Sequence, residues 1–170
     1  MEGTTASVTF EGNPLTLTGN VPKVGEPAPD FEVLANDLSP VKLSDLRGKV
    51  CVICAVPSLD TPVCDTEVRK FNERAASLGD DVAVLAISTD LPFAQSRWCG
   101  AAGIENVRAL SDHRDAEFGK RYGILIEGLR LLARAIFVVD KEGLIRYIEV
   151  VEELTNEPDY DKALKAVGDL

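Results

Sequence analysis

The chain has 170 residues, of which 45% are hydrophobic and 27% charged, and its formal net charge is −10. This composition is typical of a globular protein with enough apolar residues for a core, so folding does not require disulfides. The negative charge argues against nucleic acid or an anionic membrane as a partner, and no apolar run is long enough to span a membrane. The N-terminal residues lack the pattern of a signal peptide, and we expect one domain over residues 1–170 in the cytoplasm.

Short alternating segments open the chain. Val8–Phe10 and Leu15–Leu17 flank Glu11-Gly12-Asn13-Pro14, which predicts a β-hairpin. Residues 22–30 are rich in proline and glycine and predict an irregular connector. Further strands are predicted at 31–34, 41–43, 49–56, 81–88, 107–110, 134–139 and 144–151. Helices are predicted at 62–78, 92–102, 114–122 and 159–167. This alternation predicts a mixed α/β sheet flanked by helices.

Cys64 lies where a buried strand leads through a proline-containing loop into a helix. Thr61 suits the N-cap and Pro62 the first helical position, so Cys64 is the third residue of the predicted helix. Backbone N–H groups without helical partners and the positive end of the helix dipole favour a thiolate there. Val68 follows at helical spacing, so we expect the sulfur to point inward, at the base of a pocket.

Two acidic neighbours, Asp60 and Asp65, oppose a thiolate at Cys64, so a cation from elsewhere in the fold is needed. Arg130 and Arg134 are candidates, because Arg134 opens an apolar strand in which an unpaired charge is costly. The alternative for Arg134 is an arginine on an edge strand that reaches solvent, and the residues alone favour that alternative.

Cys51 and Cys54 have the C-x-x-C spacing of redox motifs and of half a zinc site. Both lie inside a predicted strand, where residues three apart face opposite sides of the sheet. They are therefore interpreted as small buried core residues. His113, the sole histidine, adds no paired metal ligand and is expected in a surface loop or at a helix cap.

Cys99 lies near the end of the helix that is predicted to begin at Pro92. It is either a core cysteine on an amphipathic helix or a second thiol that captures oxidised Cys64. Cys64 has the corresponding alternative of an inert buried thiol. The residues thus leave three functions open: an enzyme, a redox sensor that passes oxidation to a partner, and a structural protein with core cysteines.

The segments around these residues resemble the peroxiredoxins. The run Pro57-x-x-x-Thr61-x-x-Cys64 is similar to the active-site motif of that family, and PSLDTPVCDTEVRKFNERA resembles its thiol peroxidase subfamily, the atypical two-cysteine peroxiredoxins. The N-terminal hairpin and the segments VGEPAPDFEV, SRWCGAAG and LLARAIFVVD agree with the subfamily in the same order, over essentially the whole chain. Many members have glycine where this chain has Pro62, a residue that suits the first helical turn.

This resemblance implies a thioredoxin-like fold and the reduction of hydrogen peroxide and organic hydroperoxides without a cofactor or metal. It implies that Cys64 is the peroxidatic cysteine, which forms a sulfenic acid, and that Cys99 is the resolving cysteine, which forms a disulfide with it. Thr61 and Arg134 would complete the site, and Pro57 would shield it. Thioredoxin would reduce the disulfide, and the protein would be a homodimer.

The implied disulfide requires the Cα atoms of Cys64 and Cys99 to lie about 4.4–6.8 Å apart. Two cysteines on neighbouring packed helices are not expected to meet this requirement at rest. We therefore predict that the first turn of the Cys64 helix and part of the Cys99 helix unwind, with Gly100 and Gly103 easing the change. An apolar approach to the site is expected from Phe93, Leu125 and Ile126.

Overall fold

A computed structural model describes residues 7–75 and 77–170 of the chain. The strands are β1 (Val8–Phe10), β2 (Asn13–Leu15), β3 (Leu17–Thr18), β4 (Glu32–Leu34), β5 (Pro40–Lys42), β6 (Val50–Ala55), β7 (Val82–Ser88), β8 (Arg108–Ser111), β9 (Leu125–Ile126), β10 (Leu131–Leu132), β11 (Ala135–Val139) and β12 (Ile145–Val150). The helices are α1 (Pro62–Ala75), α2 (Pro92–Ala102), α3 (Glu117–Arg121) and α4 (Tyr160–Gly168), and a 3₁₀ helix covers Leu43–Leu46. None of the helices in these two ranges is long and apolar enough to cross a membrane.

The main sheet in the described part of the chain has seven strands in the order β12-β11-β6-β7-β8-β4-β5. Strands β6, β7 and β8 are parallel, and α1 and α2 lie in the connections between them. Strand β11 is antiparallel to both β6 and β12, so the strands predicted at 134–139 and 144–151 are present and form a hairpin. Every residue of β6 is buried, as its continuous apolar sequence predicts. The loop from β6 to α1 therefore lies at the carboxyl end of a central parallel strand, where sheets of this kind bind ligands.

The two faces of this sheet hold separate apolar cores. One core contains Cys51 with Phe118 of α3, and the other contains Cys54 with Cys64 of α1. The prediction that Cys51 and Cys54 face opposite sides is confirmed. Burial raises the pKa of the Cys51 thiol to about 11 and that of Cys54 well above its usual value. Both thiols therefore stay protonated, which fits packing and not redox or zinc chemistry.

The N-terminal hairpin is present, but its second strand ends earlier than predicted. Strand β1 pairs antiparallel with β2, whereas Leu17 leaves the hairpin and pairs with Ile126 of β9. The prediction of one strand over Leu15–Leu17 is therefore wrong at Leu17. Strands β3, β9 and β10 form a small separate sheet that was not predicted, because strands of two residues have no measurable periodicity.

Helix α3 is shorter than the helix predicted at 114–122. It begins at Glu117, because Ala116 has a left-handed φ of 51°. The carboxylate of Asp112 accepts hydrogen bonds from the amides of Phe118 and Gly119 and so caps the short helix. The other predicted helices agree with the structure to within about one turn.

Candidate active site

Cys64 is the third residue of α1, and its side chain is fully buried, as the helical spacing predicts. It packs with Cys54 and Val68 in the core between α1 and the sheet, and it is a free thiol. Its place in the first turn puts the sulfur near the positive end of the helix dipole. The structure thus places an inward-facing, fully buried thiol in the first turn of α1.

Thr61 and Pro57 lie in the loop that leads from β6 into α1. The Thr61 hydroxyl donates a hydrogen bond to the carbonyl oxygen of Ser58 at 3.0 Å. Because its proton is directed to Ser58, the Thr61 oxygen retains lone pairs that can accept a further hydrogen bond. Pro57 is buried and precedes Ser58 in the same loop.

Arg134 directly precedes β11 and is only 2% exposed, so the interpretation that it reaches solvent from an edge strand is wrong. Strand β11 is an interior strand between β6 and β12, and Arg134 before its first residue contacts α1 and the segment after β12 (residues 151–159). The Arg134 Nη1 donates to Glu67 Oε1 at 3.2 Å, and Nε and Nη2 donate to the Leu154 carbonyl at 3.1 and 2.8 Å. These fixed bonds hold the guanidinium in one orientation. By contrast, Arg130 is exposed and contacts the His113 carbonyl at 3.4 Å.

Glu67 was not predicted as part of the site. It follows Cys64 by three positions on α1, so the two side chains lie on the same side of the helix. Burial raises the pKa of Glu67 to about 8, although the nearby Arg134 charge acts in the opposite direction. Among the described residues, Glu67 Oε2 is buried without a hydrogen-bond partner. The sequence did contain a signal for Glu67, because this acidic residue is next to Val68 on the side of the helix that is predicted to face inward.

A cavity of about 450 Å³ lies beside the first turn of α1, and Pro57, Thr61 and Arg134 line it together. Its remaining walls are mostly apolar side chains from the hairpin, α1, β9, β10 with the turn between them, and the segment after β12: Phe10, Leu15, Val63, Ile126, Leu129, Leu131 and Leu154. Of the residues expected to form an apolar approach, Ile126 lines the cavity. Leu125 is buried in the core, and Phe93 is 66% exposed on α2, so neither lines it. The cavity suits a substrate with an apolar part and a small polar head.

Cys99 lies in the last turn of α2 and does not line this cavity. It lines a different depression, with Ile104 and Asn106 among its walls. Partial burial raises the pKa of the Cys99 thiol. The structure therefore brings Pro57, Thr61 and Arg134 together at the first turn of α1, the turn that carries Cys64. Cys64 itself is fully buried and is not among the residues that line the cavity, and Cys99 lies in a separate depression.

The acidic neighbours oppose a thiolate less than the sequence suggests. Asp65 forms an ion pair with Arg69, whose Nε lies 3.0 Å from its Oδ1. Asp60 is exposed, so water screens its charge. The charge of Asp65 is therefore offset by Arg69, and that of Asp60 by solvent.

Comparison with known proteins identifies the family. The sequence model of the Redoxin family matches residues 23–164, a range that includes Cys64, Cys99 and Arg134. The chain belongs to the Redoxin family. This Redoxin chain is 62% identical over 161 residues to the thiol peroxidase of Halalkalibacterium halodurans, which covers 95% of this chain and 96% of that protein. It is 55% identical over 161 residues to the thiol peroxidase of Bacillus subtilis, with 95% and 96% covered.

A solved structure supports the same assignment for this Redoxin chain. The crystal structure of a peroxiredoxin-like protein from Aquifex aeolicus is 44% identical, with a TM-score of 0.91 over 98% of this chain and 99% of that one. The predicted thioredoxin-like fold and the resemblance to the thiol peroxidase subfamily are confirmed. The Redoxin chain is a peroxiredoxin-type peroxidase and hence an oxidoreductase.

Proposed function

We propose that this thiol-dependent peroxidase reduces hydrogen peroxide and organic hydroperoxides at Cys64, forms a Cys64–Cys99 disulfide, and is reduced by thioredoxin. The observation that carries the proposal is the cavity in which Pro57, Thr61 and Arg134 meet beside the first turn of α1. It combines a hydroxyl oxygen, a fixed cation and an apolar wall around the helix start that holds a thiol.

In the first step, the Cys64 thiolate attacks the distal oxygen of the peroxide. A sulfur–oxygen bond forms, the oxygen–oxygen bond breaks, and the peroxide proton leaves with the water or alcohol. The sulfur is oxidised by two electrons to a sulfenate, which takes a proton to become the sulfenic acid. The N–H groups of Arg134 stabilise the negative charge on the reacting atoms, and the Thr61 oxygen accepts a hydrogen bond from the peroxide O–H.

Glu67 and Leu154 support this step by fixing Arg134. The Leu154 carbonyl accepts two of the guanidinium hydrogen bonds and Glu67 accepts a third, which sets the plane of the guanidinium. Because burial raises the pKa of Glu67 to about 8, its carboxyl is mostly protonated at neutral pH. The positive charge of Arg134 then remains available to the thiolate and to the peroxide.

In the second step, the Cys99 thiol condenses with the sulfenic acid, which forms the disulfide and releases water. Electrons move from the Cys99 sulfur to the Cys64 sulfur, so no external oxidant is required. The first turn of α1 and the last turn of α2 must open for this, since Cys64 is fully buried and Cys99 lines a different depression. Reduced thioredoxin then attacks the disulfide, passes through a mixed disulfide and restores both thiols.

The test is peroxide consumption by the full chain with thioredoxin, its reductase and NADPH, compared with the Cys99→Ser variant. We expect steady turnover by the wild type. The variant is expected to form one Cys64 sulfenic acid per chain, trapped by dimedone, while its thioredoxin-linked turnover falls at least about 100-fold. A chain that is oxidised once without turnover would instead be a redox sensor. A chain without dimedone labelling after one equivalent of peroxide would be a structural protein.

We also propose that the protein acts in the cytoplasm as a homodimer, as its resemblance to the thiol peroxidases implies. The high negative charge disfavours contact with anionic membranes and nucleic acids, which supports a freely diffusing enzyme. Sedimentation of the full chain at micromolar concentration checks the dimer, and a single monomeric species would contradict it.

A further inference from the structure

Asp90 lies in the turn between β7 and α2, outside the cavity, yet its carboxylate binds the loop that carries Pro57 and Thr61. Its Oδ1 accepts a hydrogen bond from the Ser58 hydroxyl at 2.7 Å, and its Oδ2 accepts one from the Leu59 amide at 2.8 Å. Hydrogen bonds to a charged acceptor are stronger than those between neutral groups. Asp90 is therefore a fixed anchor for the loop between β6 and α1.

The anchored residue, Ser58, in turn holds Thr61. The carbonyl of Ser58 accepts hydrogen bonds from the Thr61 hydroxyl at 3.0 Å and from the Thr61 amide at 3.2 Å. The first of these bonds selects the direction of the Thr61 O–H and thereby the direction of the oxygen lone pairs. Two consecutive hydrogen-bonded links thus run from Asp90 through Ser58 to Thr61.

The Asp90 carboxylate is itself immobilised by a buried polar network behind the loop. The Ser88 hydroxyl donates to Asp90 Oδ2 at 2.7 Å and accepts from Gln95 Nε2 at 3.0 Å. The Ser111 hydroxyl donates to the Asp90 carbonyl, and Gln95 Nε2 also donates to the Leu110 carbonyl. Ser88, Gln95 and Ser111 are all buried, so the network transmits a defined geometry from the sheet to the loop.

We propose that Asp90 is a positioning residue for peroxide reduction: through Ser58 it fixes the direction in which the Thr61 oxygen accepts the peroxide O–H. The inference rests on the proposed function at Cys64 and extends it to a residue that touches neither the substrate nor the sulfur. The Asp90 carboxylate would thus affect the rate of peroxide reduction, although its other contacts are with Ser88 of the sheet and the Leu59 backbone.

The test is Asp90→Asn, which keeps the shape but removes the charge and places an NH₂ group where an acceptor was, so either the Ser58 hydroxyl or the Leu59 amide can no longer donate to this side chain. We expect the second-order rate constant for Cys64 oxidation by hydrogen peroxide to fall about tenfold. Quenched flow with thiol alkylation and mass spectrometry measures this rate. Asp80→Asn, at an exposed aspartate, is the matched control and is expected to match the wild type.

The decisive readout is coupling to Thr61. In a Thr61→Val background, which lacks the hydroxyl that Asp90 orients, Asp90→Asn is expected to change the rate less than about twofold. A merely structural role would lower the rate by the same factor in both backgrounds, and that result, or an unchanged rate in Asp90→Asn alone, overturns the proposal.

A second variant keeps the test decisive if Asp90→Asn loses its cooperative thermal transition. Ser58→Ala removes the hydrogen bond from the Ser58 hydroxyl to Asp90 and keeps the one from the Leu59 amide. This variant is expected to slow Cys64 oxidation about threefold, again only when Thr61 is present. If the wild type itself does not reduce peroxide, the proposed function fails and takes this inference with it. If the wild type is active but the coupling is absent, the inference alone fails.

Discussion

The indole N–H of Trp98 donates a hydrogen bond to Asp65 Oδ1 at 2.9 Å, and these two residues are the chain neighbours of Cys99 and Cys64. Arg69 completes the contact, with its Nε 3.0 Å from Asp65 Oδ1 and its guanidinium carbon 5.7 Å from the centre of the Trp98 ring. The first turn of α1 and the C-terminal part of α2 are therefore joined at positions that, under the proposed function, separate before the Cys64–Cys99 disulfide forms.

Replacement of Trp98 by Phe is expected to speed disulfide formation. A smaller aromatic ring replaces the indole, and the hydrogen bond from the indole N–H to Asp65 is lost. The closed arrangement is therefore destabilised by about 1 kcal/mol, or roughly fivefold in the opening equilibrium. Oxidation of Cys64 by peroxide should be unchanged, because the cavity does not include Trp98. Quenched-flow alkylation separates the two steps.

The control for this experiment is Tyr147→Phe, which removes from an aromatic ring on β12 a hydroxyl that donates a hydrogen bond to Glu149. It should leave both steps as they are in the wild type. A disulfide step that is unchanged or slower in Trp98→Phe would show that the contact with Asp65 does not restrain the opening.

Replacement of Arg134 by Lys is expected to slow Cys64 oxidation about 100-fold, although the charge is kept. A lysine cannot reproduce the planar set of hydrogen bonds to Glu67 and Leu154, so its charge is not held in the same direction. The rate of sulfenic acid formation, measured with dimedone, checks this. Arg130→Lys is the matched control at an exposed neighbour, and equal losses in the two variants would contradict the assignment of the cation to Arg134.

Replacement of Glu67 by Gln is expected to flatten the pH dependence of stability. The pKa of Glu67 is raised by burial from its usual 4.5 to about 8. Between these pH values the unfolded chain loses a proton that the folded chain keeps, so stability falls as the pH rises from about 4.5 to about 8. A glutamine does not ionise, so the Tm of the variant should fall less between pH 5 and pH 8.5, as measured by calorimetry.

Asp112, whose pKa burial raises to about 6, contributes to both proteins and cancels in this comparison. The control is Glu73→Gln, at an exposed glutamate on the same helix, which should keep the wild-type slope. Parallel Tm curves for the wild type and Glu67→Gln would mean that Glu67 is already ionised at neutral pH.

Replacement of Glu153 by Gln is expected to loosen the contact between the N-terminal hairpin and the segment after β12. Hydrogen bonds from the Thr155 amide, the Gly12 amide and the hydroxyls of Thr155 and Thr9 lower the pKa of Glu153 to about 2. Its ionised form therefore stabilises the fold above pH 4.5, and this contribution is lost as the pH falls from about 4.5 to about 2. Faster hydrogen exchange of the Gly12 amide in the variant at pH 7 is the expected result.

The exchange of amides in β6 serves as the internal control for Glu153→Gln, since that strand lies in the centre of the main sheet and should keep its protection. Backbone hydrogen bonds also join the hairpin to the segment after β12, such as the one from the Thr9 amide to the Glu152 carbonyl at 2.7 Å. Unchanged exchange at Gly12 would show that these backbone bonds are sufficient to hold the hairpin in place.

Features encoded by neighbouring residues were predictable. The cap and proline before Cys64 set the start of α1, and the spacing to Val68 sets its inward direction, because helix geometry relates residues three and four apart. The same applies to Cys51 and Cys54, which the strand period places on opposite faces. The two-residue strands were not predicted, because they are too short to show a periodic pattern. The late start of α3 was not predicted either, because the hydrophobic pattern does not reveal the left-handed backbone of Ala116.

The sequence by itself therefore determined a thiol at a helix start, the order of the longer strands and helices along the chain, and the family to which they belong. Only the tertiary structure decided that Arg134 is buried against Glu67, that Asp90 holds the loop of Thr61, and that Trp98 joins the two cysteine helices. The physical reason is that these partners are far apart in the chain. Their meeting depends on the order of strands in the sheet and on which helix faces pack together, whereas periodicity and capping act over only a few residues.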